Sequence, residues 1–142
     1  MKVVIDTNIF VSAVMNADGA PRHVIRLCLR DEIRPLMANA LFSEYEDVCS
    51  RDDLFARALL SVEERTELLH AFFTCCQWIP IYFLWRPNLR DEADNHIVEL
   101  AIGGGADVII TANKRDFAQA ELAFPNLKIF TAGEFLAWRN AK

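Results

Sequence analysis

Five carboxylates stand at points where the chain turns from one element to the next. Asp6 ends the run Lys2-Val3-Val4-Ile5, and Glu44 lies among Leu41-Phe42-Ser43 and Tyr45. Asp91 and Asp94 form an Asp-x-x-Asp pair, and Asp116 follows Asn113-Lys114-Arg115. Brought together, such groups would make a hard oxygen-donor pocket suited to Mg2+ or Mn2+, with no nearby Cys or His to favour zinc. A cation held there neutralises charge on a phosphate and acidifies water, which is the chemistry of hydrolysis.

Each carboxylate also has a structural reading. Asp6 at a strand-to-helix turn can be a helix N-cap. Glu44 borders the apolar arc Leu41, Tyr45 and Val48, where an edge glutamate can reach water; Glu46 borders Phe42 on the other side. Asp91 can cap the helix that Asp94 opens, where the helix dipole favours both. Asp116 can cap the following turn or add an acid to the site.

The elements that must position these groups alternate in type. Lys2–Ile5 is a β-branched run that reads as a buried first strand, and Thr7 or Asn8 can cap the helix through Ile9, Phe10, Val11 and Val14. A turn at Asp18-Gly19-Ala20-Pro21 precedes a helix from about Arg22 to Arg30, and Asn39 starts a third. Ser61-x-x-Glu64 and Thr131-x-x-Glu134 are capping boxes, each opening a helix. A helix is expected from Glu92 to about Gly103, stopped by Gly103-Gly104-Gly105. Asp107–Thr111 and Leu127–Phe130 read as further strands. The pattern predicts one α/β domain over residues 1–142, a mainly parallel sheet with helices on both faces. In such sheets ligands bind beyond the carboxyl ends of the strands, which is where Asp6, Thr111 and Asn113 fall.

The chain has 142 residues, 53% of them apolar and 25% charged, enough for a sizeable core. A net charge of −5 argues against a broad basic nucleic-acid face, while an acidic metal pocket is compatible with it. The longest apolar stretch, Ala71 to Trp85, is broken by Gln77 and Pro80 and is too short to span a bilayer. With no N-terminal signal visible, the expected location is cytoplasmic. Cys28, Cys49, Cys75 and Cys76 show no Cys-x-x-Cys spacing and read as buried thiols; His23, His70 and His96 are scattered and read as ordinary core or surface residues.

Four segments in this order, Val3-Val4-Ile5-Asp6-Thr7-Asn8, Leu41-Phe42-Ser43-Glu44, Asp91-x-x-Asp94-Asn95-x-Ile97 and Val108-Ile109-Ile110-Thr111-Ala112-Asn113-x-x-Asp116-Phe117, resemble the PIN-domain nucleases. Within them the resemblance is to the branch labelled as toxins of type II toxin–antitoxin pairs, and it runs from Met1 to about Phe130. It implies a three-layer PIN-like fold and an acidic metal pocket. Asp6 matches the first-strand ligand, Glu44 the helix carboxylate, Asp94 the acid of the later helix and Asp91 the extra aspartate of this branch. Thr7 and Asn8 match residues that orient the first aspartate. Asn113 departs from the aspartate that many members carry after the strand threonine, and Asp116 can take over that role.

The resemblance implies an endoribonuclease that uses Mg2+ or Mn2+, with a cognate antitoxin protein and a homodimeric state. Arg22, Arg26 and Arg30 recur along one helix, and Lys114 and Arg115 lie beside the proposed site; all could guide an RNA backbone, or be a solvated face. The segment Trp78 to Trp85 and the helix residues Phe135-Leu136-Ala137-Trp138 could line an interface or the core. The rival expectation is a catalytically weak PIN-like module that binds RNA or protein.

Overall fold

Consecutive side chains on a strand point to opposite faces of its sheet, and in β1 (Lys2–Ile5) the adjacent residues Val3, Val4 and Ile5 are all buried. The same holds for Val108, Ile109 and Ile110 of β4 (Val108–Ile110). Both faces of the sheet centre are therefore covered, the situation in which a parallel sheet is stable. The structure, a computed structural model, describes residues 1–81 and 95–141.

Following β1, α1 (Thr7–Met15) and α2 (Ala20–Leu29) lead to β2 (Arg34–Met37). Next come α3 (Asn39–Cys49), a 3-10 turn at Asp52–Phe55, α4 (Val62–Cys75) and the two-residue β3 (Gln77–Trp78). After the undescribed stretch, α5 (Asn95–Gly104) leads to β4. A 3-10 turn at Lys114–Phe117, α6 (Ala118–Ala123), β5 (Lys128–Phe130) and α7 (Ala132–Asn140) complete the fold.

The sheet is parallel throughout, in the order β3-β2-β1-β4-β5. Strand order runs outward in one direction from β1 to β3 and in the other through β4 and β5. Right-handed crossovers then put the two sets of helices on opposite faces, giving a three-layer α/β architecture. The switch point lies between β1 and β4, which pair in the register Val3 with Val108 and Ile5 with Ile110.

Two strands escape the sequence reading. In β2, Arg34 and Pro35 interrupt the apolar pattern, yet Pro35 sits opposite Val3 in the ladder and Leu36 and Met37 are buried. β3 has only two residues, both exposed, and adds to the edge of β2. The second helix begins at Ala20, earlier than Arg22, because Gly19 is the N-cap and Pro21 fits the first turn. Neither Thr7 nor Asn8 caps α1; both are inside it, and Asp6 occupies the N-cap position.

Both predicted capping boxes are present, Ser61 with Glu64 and Thr131 with Glu134. The glycine run ends α5 as expected. Ala106 N–H donates to Ala101 O at 2.8 Å and Gly105 N–H to Ile102 O at 3.3 Å, with Gly105 at φ 71°, a Schellman closure.

The core gathers Phe10, Tyr45, Phe72, Phe117 and Phe135, all fully buried, around the strands. Cys28, Cys49 and Cys76 are buried free thiols, in keeping with a packing role. Phe135 belongs to the core, and Trp138 packs its ring 5.4 Å from Phe130. Trp78 is 46% exposed, while the segment from residue 82 through Trp85 lies outside the described residues. Among the described residues no helix is long and apolar enough to cross a membrane.

Candidate active site

The carboxyl end of β1 is tied to β4 by the Asp6 N–H, which donates to Ile110 O at 3.0 Å. Asp6 is 6% exposed and stands where a capping aspartate would stand, but its side chain makes no capping hydrogen bond. Instead, Oδ2 accepts from the Thr111 hydroxyl at 2.8 Å and from Asn8 Nδ2 at 3.3 Å. Thr111 is fully buried at the end of β4. Burial pushes the Asp6 carboxyl above its usual range; the Thr111 hydrogen bond opposes that rise and the neighbouring Glu44 charge adds to it. A buried carboxylate that is short of compensation is an unfavourable thing to keep unless something positive is meant to join it.

Glu44 reaches the same place from α3. Its Oε1 accepts from the Thr7 hydroxyl at 2.9 Å, and its Oε2 lies 2.8 Å from His96 Nε2 on α5. The His96 hydrogen bond, helped by Thr7 against partial burial, holds the Glu44 carboxyl below its usual range. An ionised carboxylate cannot donate, so the imidazole N–H is at Nε2. Beneath the pair, the buried Tyr45 hydroxyl donates to Ile5 O at 2.7 Å, fastening α3 to the end of β1.

The structure thus brings Asp6, Thr7, Asn8, Glu44 and Thr111 together. It separates Glu44 from Glu46, which is exposed and lines a different cavity beside Cys49 and Arg65. Asn8 Oδ1 accepts from Ala112 N–H at 3.1 Å, and Asn113 N–H donates to Thr111 Oγ1 at 3.0 Å, so the β4 loop is bound to the same cluster. Asp116 lies half-buried on the 3-10 turn just after Asn113. It does not cap α6, whose N-cap is Phe117, and its carboxylate has no hydrogen-bond or ion-pair partner among the described residues. Asp91 and Asp94 lie outside the described residues.

The basic side chains divide. Arg22 Nε donates to Ala13 O and its Nη2 to Val14 O, and Arg26 Nη2 donates to Ala17 O at 3.2 Å. These arginines close the carboxyl end of α1 and the turn after it, at the far end of that helix from Asp6. Arg30 is exposed at the C-cap of α2. Lys114 pairs with Glu134 at 3.0 Å, and Arg115 is exposed near the site.

Two contributors were hidden from sequence reasoning. His96 looks like any lone histidine until α5 is laid beside α3. Tyr45 reads as one more apolar member of a helix arc, and only its hydroxyl partner shows that it also locates β1.

The donor set suits a hard divalent cation. Asp6 and Glu44 offer carboxylate oxygens from two elements, and the buried Asp6 carboxylate accepts from the neutral side chains of Thr111 and Asn8. Among the described residues no three His, Cys, Asp or Glu side chains form a complete cation site. The cluster lies at the switch point where doubly wound sheets bind ligands.

The chain is 32% identical over 120 residues to an uncharacterised protein of Methanocaldococcus jannaschii, covering 80% of this chain and 72% of that one. Its fold is similar to a chain in the crystal structure of VapBC2 from Rickettsia felis bound to a DNA fragment from their promoter, with a TM-score of 0.56 at 17% identity. That similarity covers 91% of this chain and 97% of the other. The profile of the PIN domain matches residues 2–115, from the first strand through the loop after Thr111, and this chain accordingly belongs to the PIN-domain family.

Proposed function

We propose that this PIN domain is a metal-dependent endoribonuclease, the toxin of a toxin–antitoxin pair, acting in the cytoplasm. The observation that carries the reading is the buried Asp6 carboxylate, which stands at a helix N-cap, does not cap, and lies with Glu44 at the topological switch point. The similarity to a chain of a VapBC complex supports an antitoxin partner, and a homodimer is proposed with it.

Asp6 and Glu44 would hold Mg2+ or Mn2+, with Asp94 and Asp116 proposed to complete the shell and Asp91 to support it. When bound, such a cation neutralises charge on the phosphodiester and acidifies water. The protein's own residues do the positioning. Thr111 and Asn8 fix which oxygen of Asp6 stays free, and Thr7 holds Glu44 across from it. Exposed Arg115 is the basic group best placed to meet an approaching RNA backbone, since Lys114 is engaged with Glu134. Attack by water leaves 5′-phosphate and 3′-hydroxyl ends.

The test is cleavage of labelled structured RNAs with Mn2+, with EDTA and with Asp6→Asn, alongside thermal denaturation with and without Mn2+. Metal-dependent cleavage that disappears in the folded variant is expected. Cation at about a hundred times its dissociation constant should stabilise the native state by ~2.7 kcal/mol. Neither cleavage nor a Mn2+ shift would favour a module that only binds RNA or protein, and 2′,3′-cyclic phosphate ends would rule out attack by water.

A further inference from the structure

Glu44 is the more exposed of the two site carboxylates, with a side chain 33% accessible, so something must choose its rotamer. Two donors from different elements do so: the Thr7 hydroxyl of α1 on Oε1 and His96 Nε2 of α5 on Oε2. We infer that His96 is a positioning residue for the cation site, its Nε2–H clamping the Glu44 carboxylate so that its remaining lone pairs face Asp6. The inference rests on the metal-dependent reading above.

Three observations carry it. One donor on each oxygen fixes the plane of the carboxylate, which a single hydrogen bond would leave free to swing. The His96 side chain is 20% exposed, and its Nδ1 is buried with no hydrogen-bond partner among the described residues. The described polar contact of the ring is therefore the one to Glu44. Ile97 and Val98, which follow directly on α5, are fully buried, so the backbone that carries the imidazole is anchored in the core. Outer residues that hold a metal ligand by hydrogen bonding commonly change metal affinity or activity by about 10- to 100-fold when removed.

The distinguishing variants are His96→Ala, which deletes the donor, and His96→Gln, which can return an N–H near the position of Nε2. Mn2+ affinity is measured by electron paramagnetic resonance of the free ion, and KM and kcat for RNA are measured separately. Circular dichroism verifies folding. The expected result is Mn2+ binding weakened about tenfold or more in His96→Ala, with substantial recovery in His96→Gln and an unchanged KM for RNA. Wild-type affinity in His96→Ala, or equal loss in both variants, would overturn the inference.

A metal-free readout separates this inference from the metal reading. In the 15N spectrum of the imidazole, His96 should carry its proton on Nε2, with a slowly exchanging N–H signal that Glu44→Ala abolishes. A proton on Nδ1 instead would sink the clamp whatever the metal does. Wild-type protein that shows the Nε2–H signal but binds no Mn2+ would overturn the metal reading, and with it a role for the clamp in cation binding.

Discussion

Thr111 stands 105 residues after Asp6 in the chain, and its buried hydroxyl donates to the Asp6 carboxylate at 2.8 Å. That bond, together with the Asp6 N–H to Ile110 O, turns the junction of β1 and β4 from a strand pairing into a prepared acidic site.

The preparation has a stability cost that can be measured. Burial raises the Asp6 pKa from 3.8. Between that value and the raised one, the native state retains a proton that the unfolded chain has released, so stability is lost as pH rises through the window. Asp6→Asn removes this penalty. Urea denaturation of metal-free protein should show the variant gaining on wild type from about pH 4 toward neutrality, and a variant less stable than wild type at every pH would contradict the assignment. Glu44 has the opposite sign, since its lowered pKa contributes stability that is lost as pH falls through the folded value.

Removing the Tyr45 hydroxyl tests the support under the site. Tyr45→Phe leaves the Ile5 carbonyl without its side-chain donor in a fully buried place. The expected cost is about 1–3 kcal/mol in urea unfolding. Because the same bond joins α3 to β1, a loss of cleavage beyond the fraction unfolded is expected as well.

Two adjacent glycines of α5 should respond with opposite signs. A Cβ on Gly104 would lie 2.6 Å from Leu36 Cδ1 and 3.1 Å from Ile79 Cγ1, so the buried Leu36 side chain on β2 would have to shift. Gly104→Ala should cost about 1–3 kcal/mol. At Gly103 the nearest atom, Ile81 Cδ1, is at 3.6 Å, an ordinary contact. Gly103→Ala should therefore stabilise the helix by about 0.5–1 kcal/mol. Thermal denaturation of the two variants side by side decides the matter.

The thiols offer a check on the core. Burial pushes Cys49 up to about 11 and Cys76 up to about 12, and raises Cys28 further. At pH 8 the thiolate of Cys49 should be depleted about 100-fold relative to an ordinary thiol. Iodoacetamide should modify the half-buried Cys75 first in native protein and all four cysteines after unfolding. Early labelling of Cys28 would mean that the packing between α2 and α4 opens readily. The raised thiols also contribute stability that is lost as pH climbs above 9, toward their folded values.

How much of this was legible in the sequence follows from what each residue's role depends on. β1 and β4 announce themselves because a strand buried on both faces needs an unbroken apolar run, which Val3–Ile5 and Val108–Ile110 supply. The capping boxes are local and were readable for the same reason. β2 was hidden because Pro35 and Arg34 argue against a strand taken alone, and only pairing with β1 makes one of them. Asp6 could be located but not interpreted. The choice between cap and site turns on where its oxygens point, and that depends on Thr111. Arg22 and Arg26 looked like a basic stripe because helical spacing shows which side chains align and not what they meet. In the fold they meet the carbonyls of α1 and of the turn after it.

The order of the sheet also bears on how the protein is made. Its central strand, β1, leaves the ribosome about a hundred residues before β4, one of the two neighbours that complete it. Pairings of such long sequence separation form late, because the loop must close before any contact compensates for it. A nascent chain therefore carries Asp6 without Thr111, and Glu44 without His96, until β4 and α5 have emerged. The acidic cluster is therefore assembled only after the strands on both sides of β1 have left the ribosome.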